Sequence, residues 1–103
     1  MNLEPVVGHE QGRRRPALIL SADAWNAGPA GLVTVVPITN KARHGIPSRI
    51  EVKPPRGGLA TVSWVIGEQV RTVSTSRLGK RLGVLSARTM LRVEDVVRML
   101  LGL

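Results

Sequence analysis

Up to Ser86 the apolar residues of this chain come in short runs cut by glycine and proline, and from Ser86 onward they fall at helical spacing. That switch restricts the chain to a set of short strands closed by one helix. Residues 17–20 and 32–36 are continuous apolar runs separated by the Asn-Ala-Gly-Pro-Ala-Gly segment 26–31, a strand, loop, strand pattern. Residues 49–52 alternate polar and apolar side chains and predict a half-buried strand, after which Pro54, Pro55, Gly57 and Gly58 break the chain. Residues 61–66 are rich in β-branched side chains, carry Trp64 and make the clearest strand. Residues 70–73 and 83–85 are further candidates, with Ser74-Thr75-Ser76 as a turn between them.

In the C-terminal segment, Met90, Val93, Val97 and Leu100 share one helical face, with Leu101 beside them and Arg88, Arg92 and Asp95 on the other side. Ser86 stands as the N-cap, Glu94 and Arg98 as an i,i+4 pair, and Gly102 at the C-terminal cap. The expected fold is α+β and mainly β: a small, strongly curved antiparallel sheet or half-open barrel with a C-terminal amphipathic helix packed on it. Residues 1–103 are expected to form a single domain, a length that can bury roughly two thirds of the surface of the unfolded chain. Only Trp25 and Trp64 are aromatic, so the core has to be built from Val, Leu, Ile, Ala and Met.

Cysteine is absent, which excludes disulfides and thiolate zinc sites and fits a reducing compartment. No secretory leader opens the chain, and no apolar run approaches the roughly 20 residues that span a bilayer. A cytoplasmic protein is expected. Fifteen Lys and Arg against seven Asp and Glu give a net charge of +8, which favours a polyanionic partner. Arginine outnumbers lysine twelve to three, and a planar guanidinium can grip two phosphate oxygens at once.

The densest chemistry lies in Gly8-His9-Glu10-Gln11-Gly12-Arg13-Arg14-Arg15-Pro16, read as a glycine-bounded loop feeding the first apolar run. An imidazole, a carboxylate and three guanidinium groups in nine residues suit the handling of a phosphodiester. No zinc motif, phosphate-binding Gly-Lys-Ser/Thr loop, dinucleotide fingerprint or Ser-His-Asp arrangement can be assembled, and His9 and His44 are too few for a metal site. No cofactor and no metal are expected.

Several segments in one order resemble the MazF/PemK (Kid-like) toxins of bacterial toxin–antitoxin systems. They are Gly8-His9-Glu10-Gln11, Arg14-Arg15-Pro16-Ala17-Leu18-Ile19-Leu20, Val35-Val36-Pro37-Ile38-Thr39 and Glu68-Gln69-Val70-Arg71-Thr72-Val73, followed by Ser76-Arg77-Leu78, Arg81-Leu82-Gly83 and the tail Leu100-Leu101-Gly102-Leu103. The resemblance covers essentially the whole chain. It implies the CcdB/PemK-type, SH3-like barrel, ribosome-independent endoribonuclease activity on single-stranded RNA, a homodimer, and an antitoxin whose acidic, flexible tail covers the basic groove. In one respect the chain departs from the family pattern. Relatives usually begin with an Arg-Gly-Asp-Ile-Trp-like first strand, whereas this sequence opens on Met1-Asn2-Leu3-Glu4-Pro5, so the first strand is expected to be missing. Either the start is late or truncated and the functional protein is about ten residues longer, which is the preferred reading, or the domain lacks the strand and leaves its neighbour's edge unpaired.

RNA cleavage without a metal can use the substrate's own 2′-hydroxyl, so the protein must supply a proton acceptor, a proton donor and positive groups around the phosphorane-like transition state. Arg15, at the mouth of a strand before the rigid Pro16, is the first candidate for the non-bridging oxygens. The resemblance pairs it with Thr39 as the catalytic couple and gives His9 and Glu10 functional roles, with acid and base unassigned between them. Glu10 has a second reading, as the ion-pair partner that orients Arg15. Gln11, Arg13, Arg14, Lys41, Arg43, Gln69 and Arg71 are candidates for holding RNA, Gln69 and Arg71 reading equally well as cross-strand hydrogen-bonding residues. Glu68 aligns with a catalytic Asp of a Kid-like relative, but Ile66 stands where that relative has Arg, which favours the Arg15 and Thr39 arrangement. With so few aromatics, affinity should come from phosphates and fall steeply with salt. The two other readings are a non-catalytic nucleic-acid-binding module on the same barrel and a CcdB-like toxin that inhibits DNA gyrase, for fold alone does not decide function.

Overall fold

A computed structural model of the chain describes residues 6–10, 15–42 and 45–103. Seven strands form one antiparallel sheet: β1 (Val6–Glu10), β2 (Arg15–Ile19), β3 (Leu32–Thr39), β4 (Arg49–Val52), β5 (Ser63–Ile66), β6 (Arg71–Ser74) and β7 (Leu78–Val84). A short helix α1 (Asp23–Asn26) follows β2, and α2 (Ala87–Leu101) closes the chain. The order across the sheet is β4-β5-β3-β2-β1-β7, with β6 also paired to β3.

The curvature originates in β3. One side of this eight-residue strand pairs with β2, while the other is divided between β6, opposite residues 32–35, and β5, opposite Ile38 and Thr39. Pro37, which has no N–H to donate, falls at the gap between those two partners, where its missing hydrogen bond costs least. The open edges then approach each other, because the turn that follows β4 (Arg56–Gly58) folds back on β7. A Cβ added at Gly83 would lie 2.7 Å from backbone atoms of Gly57 and Gly58, so only glycine admits this contact.

Both faces of the central strands are buried, which explains why β2 and β3 read as continuous apolar runs and not as alternating ones. Leu18, Val36, Ile38, Ile50, Val52, Val65 and Leu85 turn inward onto Val93 and Val97 of α2, while Ala17, Val33, Val35 and Val73 form a second cluster under Ile19 and Leu78. The expected alternation in β4 holds: Ile50 and Val52 are buried and Glu51 is exposed. Neither tryptophan belongs to the core clusters, and Trp25 is half exposed.

The Ser86 hydroxyl accepts the Thr89 N–H at 3.2 Å, and Gly102, at φ 72°, lets the Gly102 and Leu103 N–H groups donate back to the Met99 and Arg98 carbonyls. Both caps agree with the sequence. Three expectations change. Gly8-His9-Glu10 is strand, not loop, because β1 is framed by β2 on one side and β7 on the other, so the edge that a missing strand would leave unpaired is filled. The last strand begins at Leu78, five residues earlier than expected, where a 3₁₀ turn (Thr75–Arg77) ends. On α2, Arg98 meets Asp95 at 3.5 Å instead of Glu94, and Leu100 and Leu101 are exposed, whereas the buried residues of the helix are Val93 and Val97.

Candidate active site

Arg15 opens β2 and Thr39 ends β3, 24 positions apart in the chain. The β2–β3 register pairs Leu18 with Val36 and Ala17 with Pro37, and continuing it by one pleat sets Arg15 across from Thr39. Both line a cleft of about 520 Å3 whose rim also carries Lys41, Arg49, Ser63 and Gln69. Arg15 is exposed and Thr39 half-buried, so a guanidinium free to reach a ligand stands beside a hydroxyl held by the sheet. The Thr39 hydroxyl oxygen accepts the Lys41 N–H at 3.2 Å, which leaves its own hydrogen to donate into the cleft. No carboxylate lines the cleft among the described residues. Three cations, three hydroxyls and two side-chain amides make it an anion-binding site in which phosphate oxygens find both charge and directed donors.

Across the strand pair, β1 brings the remaining chemistry. Its register sets Glu10 opposite Arg15 and His9 opposite Pro16. These two residues are placed by their backbone, and their side chains lie outside the described residues, as do Gln11, Arg13, Arg14 and Arg43 altogether. Of the remaining candidates, Lys41 and Gln69 join the cleft, whereas Arg71, at the start of β6 opposite Val35, is not part of its lining. The reason is the 3₁₀ turn Gly67–Gln69, which redirects the chain between Gln69 and Arg71 from the β5 side of β3 to the β6 side.

Sequence reasoning missed Arg49. Its side chain is 10% exposed, its Nε donates to Glu68 Oε2 at 3.3 Å, and its Nη2 lies 3.3 Å from the same oxygen. Ser48 Oγ donates to the other carboxylate oxygen at 2.8 Å. Burial by itself would raise the Glu68 pKa, but its own backbone N–H, the Ser48 hydroxyl and the Arg49 charge outweigh that and hold it below 4.5. Ile66, where the Kid-like pattern has Arg, is paired across the sheet with Arg49, so the guanidinium beside Glu68 comes from the neighbouring strand. The signal in the sequence was an arginine at a polar position of an alternating strand.

A second groove, of about 560 Å3, gathers Lys53, Arg56, Arg88 and Arg92 between the end of β4 and the first turns of α2. Glu51 lines it as well, and it lacks the constellation of Arg15, Thr39 and the facing β1. Among the described residues no group of three His, Cys, Asp or Glu side chains comes together as a metal-ligand set, and no helix is long and apolar enough to cross a membrane.

Known proteins of similar sequence and shape share this arrangement of strands and helix. The endoribonuclease MazF of Staphylococcus epidermidis is 36% identical over 105 residues, covering 99% of this chain and 85% of its own. The structure of the Mycobacterium tuberculosis toxin MazF-mt6 superposes with a TM-score of 0.81 at 26% identity, over 96% of this chain and 97% of that one. A mycobacterial endoribonuclease solved in complex with its cognate antitoxin follows with a TM-score of 0.77 at 25% identity, covering 97% and 92%. The model of the PemK-like, MazF-like toxins of type II toxin–antitoxin systems matches residues 1–101, and the chain belongs to that family.

Proposed function

We propose that this toxin cleaves single-stranded RNA at the cleft between β2 and β3, with Arg15 and Thr39 holding the scissile phosphate. The observation that carries this reading is the convergence of those two residues, distant in the chain, on one cationic cleft with no described carboxylate. Its relatives of similar length are endoribonucleases, among them the staphylococcal MazF. In the reaction, the 2′-hydroxyl oxygen bonds to phosphorus and the bond from phosphorus to the 5′-oxygen breaks. A base takes the 2′-hydroxyl proton, an acid protonates the leaving 5′-oxygen, and a 2′,3′-cyclic phosphate remains. Arg15 and Thr39 donate to the non-bridging oxygens as charge accumulates on them, while Glu10, paired with Arg15 in the β1 register, and its neighbour His9 are the groups for the two proton transfers. Lys41 and Gln69 hold the RNA within the cleft, and Gln11, Arg13, Arg14, Arg43 and Arg71 are further candidates for RNA contacts.

Residues 1–103 act as one toxin domain in the cytoplasm, where mRNA is the abundant single-stranded substrate. The exposed Leu100, Leu101 and Leu103 at the end of α2 suit a second copy of the chain, and the cationic cleft suits the acidic tail of an antitoxin, the kind of partner found with the mycobacterial endoribonuclease. The test is digestion of a long unstructured RNA in the presence of a chelator. Cutting by the parent protein, with Arg15→Ala slower by about 10²- to 10³-fold and Thr39→Ala also impaired, is the expected result. Intact RNA with the parent protein would sink the nuclease reading, and binding without cutting would transfer support to the non-catalytic module.

A further inference from the structure

Arg49 is held more firmly than a phosphate-tracking arginine needs to be. It opens β4, yet its side chain is nearly buried, with Nε and Nη2 both directed at Glu68 Oε2. The carboxylate is in turn fixed by the Ser48 hydroxyl, and Ser48, itself buried, accepts the Gly67 N–H on its backbone carbonyl at 3.0 Å. Each member therefore has its position set by another, and the Nη1 hydrogens remain for the cleft that Arg49 lines. Rigid donors of this kind bind without losing side-chain entropy again.

Charge separates the possible tasks. The Glu68 carboxylate offsets the Arg49 guanidinium, so the pair adds little net attraction for a phosphate. Arg15 and Lys41, in the same cleft, have no carboxylate partner among the described residues and supply that attraction. A charge-compensated fork suits the neutral paired acceptors on a base edge, and O6 and N7 of guanine match a guanidinium best. Trp25 and Trp64 are the chain's only aromatic residues and neither lines the cleft, so base recognition there falls to hydrogen bonds.

We infer that Arg49, braced by Glu68 and Ser48, reads the acceptor edge of a guanine in the bound RNA and so sets sequence preference at one position of the cleavage site. This rests on the RNA-cleavage reading above and extends it from the reaction to its specificity. The experiment digests a pool of unstructured RNAs of randomised sequence with the parent protein, Arg49→Lys, Arg49→Gln and Glu68→Gln at several salt concentrations, and sequences the ends. The expected result is a parent preference for guanine at one position that falls by about 5- to 150-fold in Arg49→Gln and equally in Arg49→Lys, which keeps the charge and loses the fork. The steepness of the salt dependence should stay unchanged.

Glu68→Gln, which keeps the guanidinium and loosens it, should lose part of the preference at that same position. Circular dichroism checks each fold, and Glu68→Gln and Arg49→Lys carry the test should Arg49→Gln not fold. Uniform slowing on all sequences with a shallower salt dependence, rescued by Arg49→Lys, would mark a phosphate contact and overturn the inference. A preference unchanged in every variant while the parent cuts RNA would overturn this inference alone, whereas a parent that cuts nothing would overturn the cleavage reading with it.

Discussion

Replacing Gly67 by alanine forces a methyl group into the joint that ties the cleft to the helix. The added Cβ would lie 2.7 Å from the Ser48 carbonyl oxygen and 2.7 Å from Val96 Cγ1, short of the 3.4 Å at which ordinary contact begins by about 0.7 Å on each count. Neither neighbour yields readily. The carbonyl belongs to the backbone entering β4 and accepts the Gly67 N–H, while Val96 is β-branched and packs against the main core cluster. Overpacking of this kind costs about 1–3 kcal/mol, and weakening the 67–48 hydrogen bond adds roughly 1 kcal/mol, so a destabilisation of about 2–4 kcal/mol is expected. With a urea m-value of about 1.5 kcal/mol/M, the unfolding midpoint falls by roughly 1.3–2.7 M, read at one fixed protein concentration because self-association would shift it. Val96→Ala added to Gly67→Ala should relieve the side-chain half of the clash, making the double variant about 1 kcal/mol more stable than the sum of the two single effects. A midpoint within about 0.3 M of the parent, or strict additivity, would refute the packing argument.

Ser86→Ala removes the hydroxyl that caps α2 and should cost about 1 kcal/mol in urea unfolding, while Ser86→Gly costs only a few tenths; equal losses would show that the cap bond contributes little. Because the Glu68 pKa is lowered on folding, its contribution to stability is complete above 4.5 and is lost as the pH falls through the lower folded value. The urea midpoint of the parent should therefore exceed that of Glu68→Gln by a constant margin from about pH 7 to 5, and the margin should shrink below 4.5; a margin independent of pH would contradict the Ser48, Glu68 and Arg49 network.

Local chemistry made much of the fold legible. The helix announced itself through its period and both caps, and β2 through β5 through apolar runs and breakers, because these signals depend on residues a few positions apart. β1 was not legible. Val6-Val7-Gly8-His9-Glu10 has a glycine at its centre and polar residues at its end, and it is a strand only because β2 and β7 pair with it. The same holds for the long start of β7, where Gly79, Lys80 and Arg81 carry no strand propensity of their own. On α2, the pattern placed Leu100 toward the core, but which turns of a helix find a packing partner is not written in the helix.

By itself the sequence determined the class of the fold, the ends of its helix, the cationic character of the chain and the candidacy of Arg15, each a matter of composition, period or short motif, whereas Thr39 became a candidate through the family resemblance. Tertiary structure decided which of those groups meet. It set Glu10 opposite Arg15, brought Arg15 and Thr39 to one cleft, left Arg71 outside it, and joined Arg49 to Glu68 across 19 residues. The physical reason is that propensity and patterning act along the chain, whereas a binding site is a set of distances through space. Here those distances are fixed by the register of β2 on β3 and by a buried glycine that lets Ser48 and Glu68 come together.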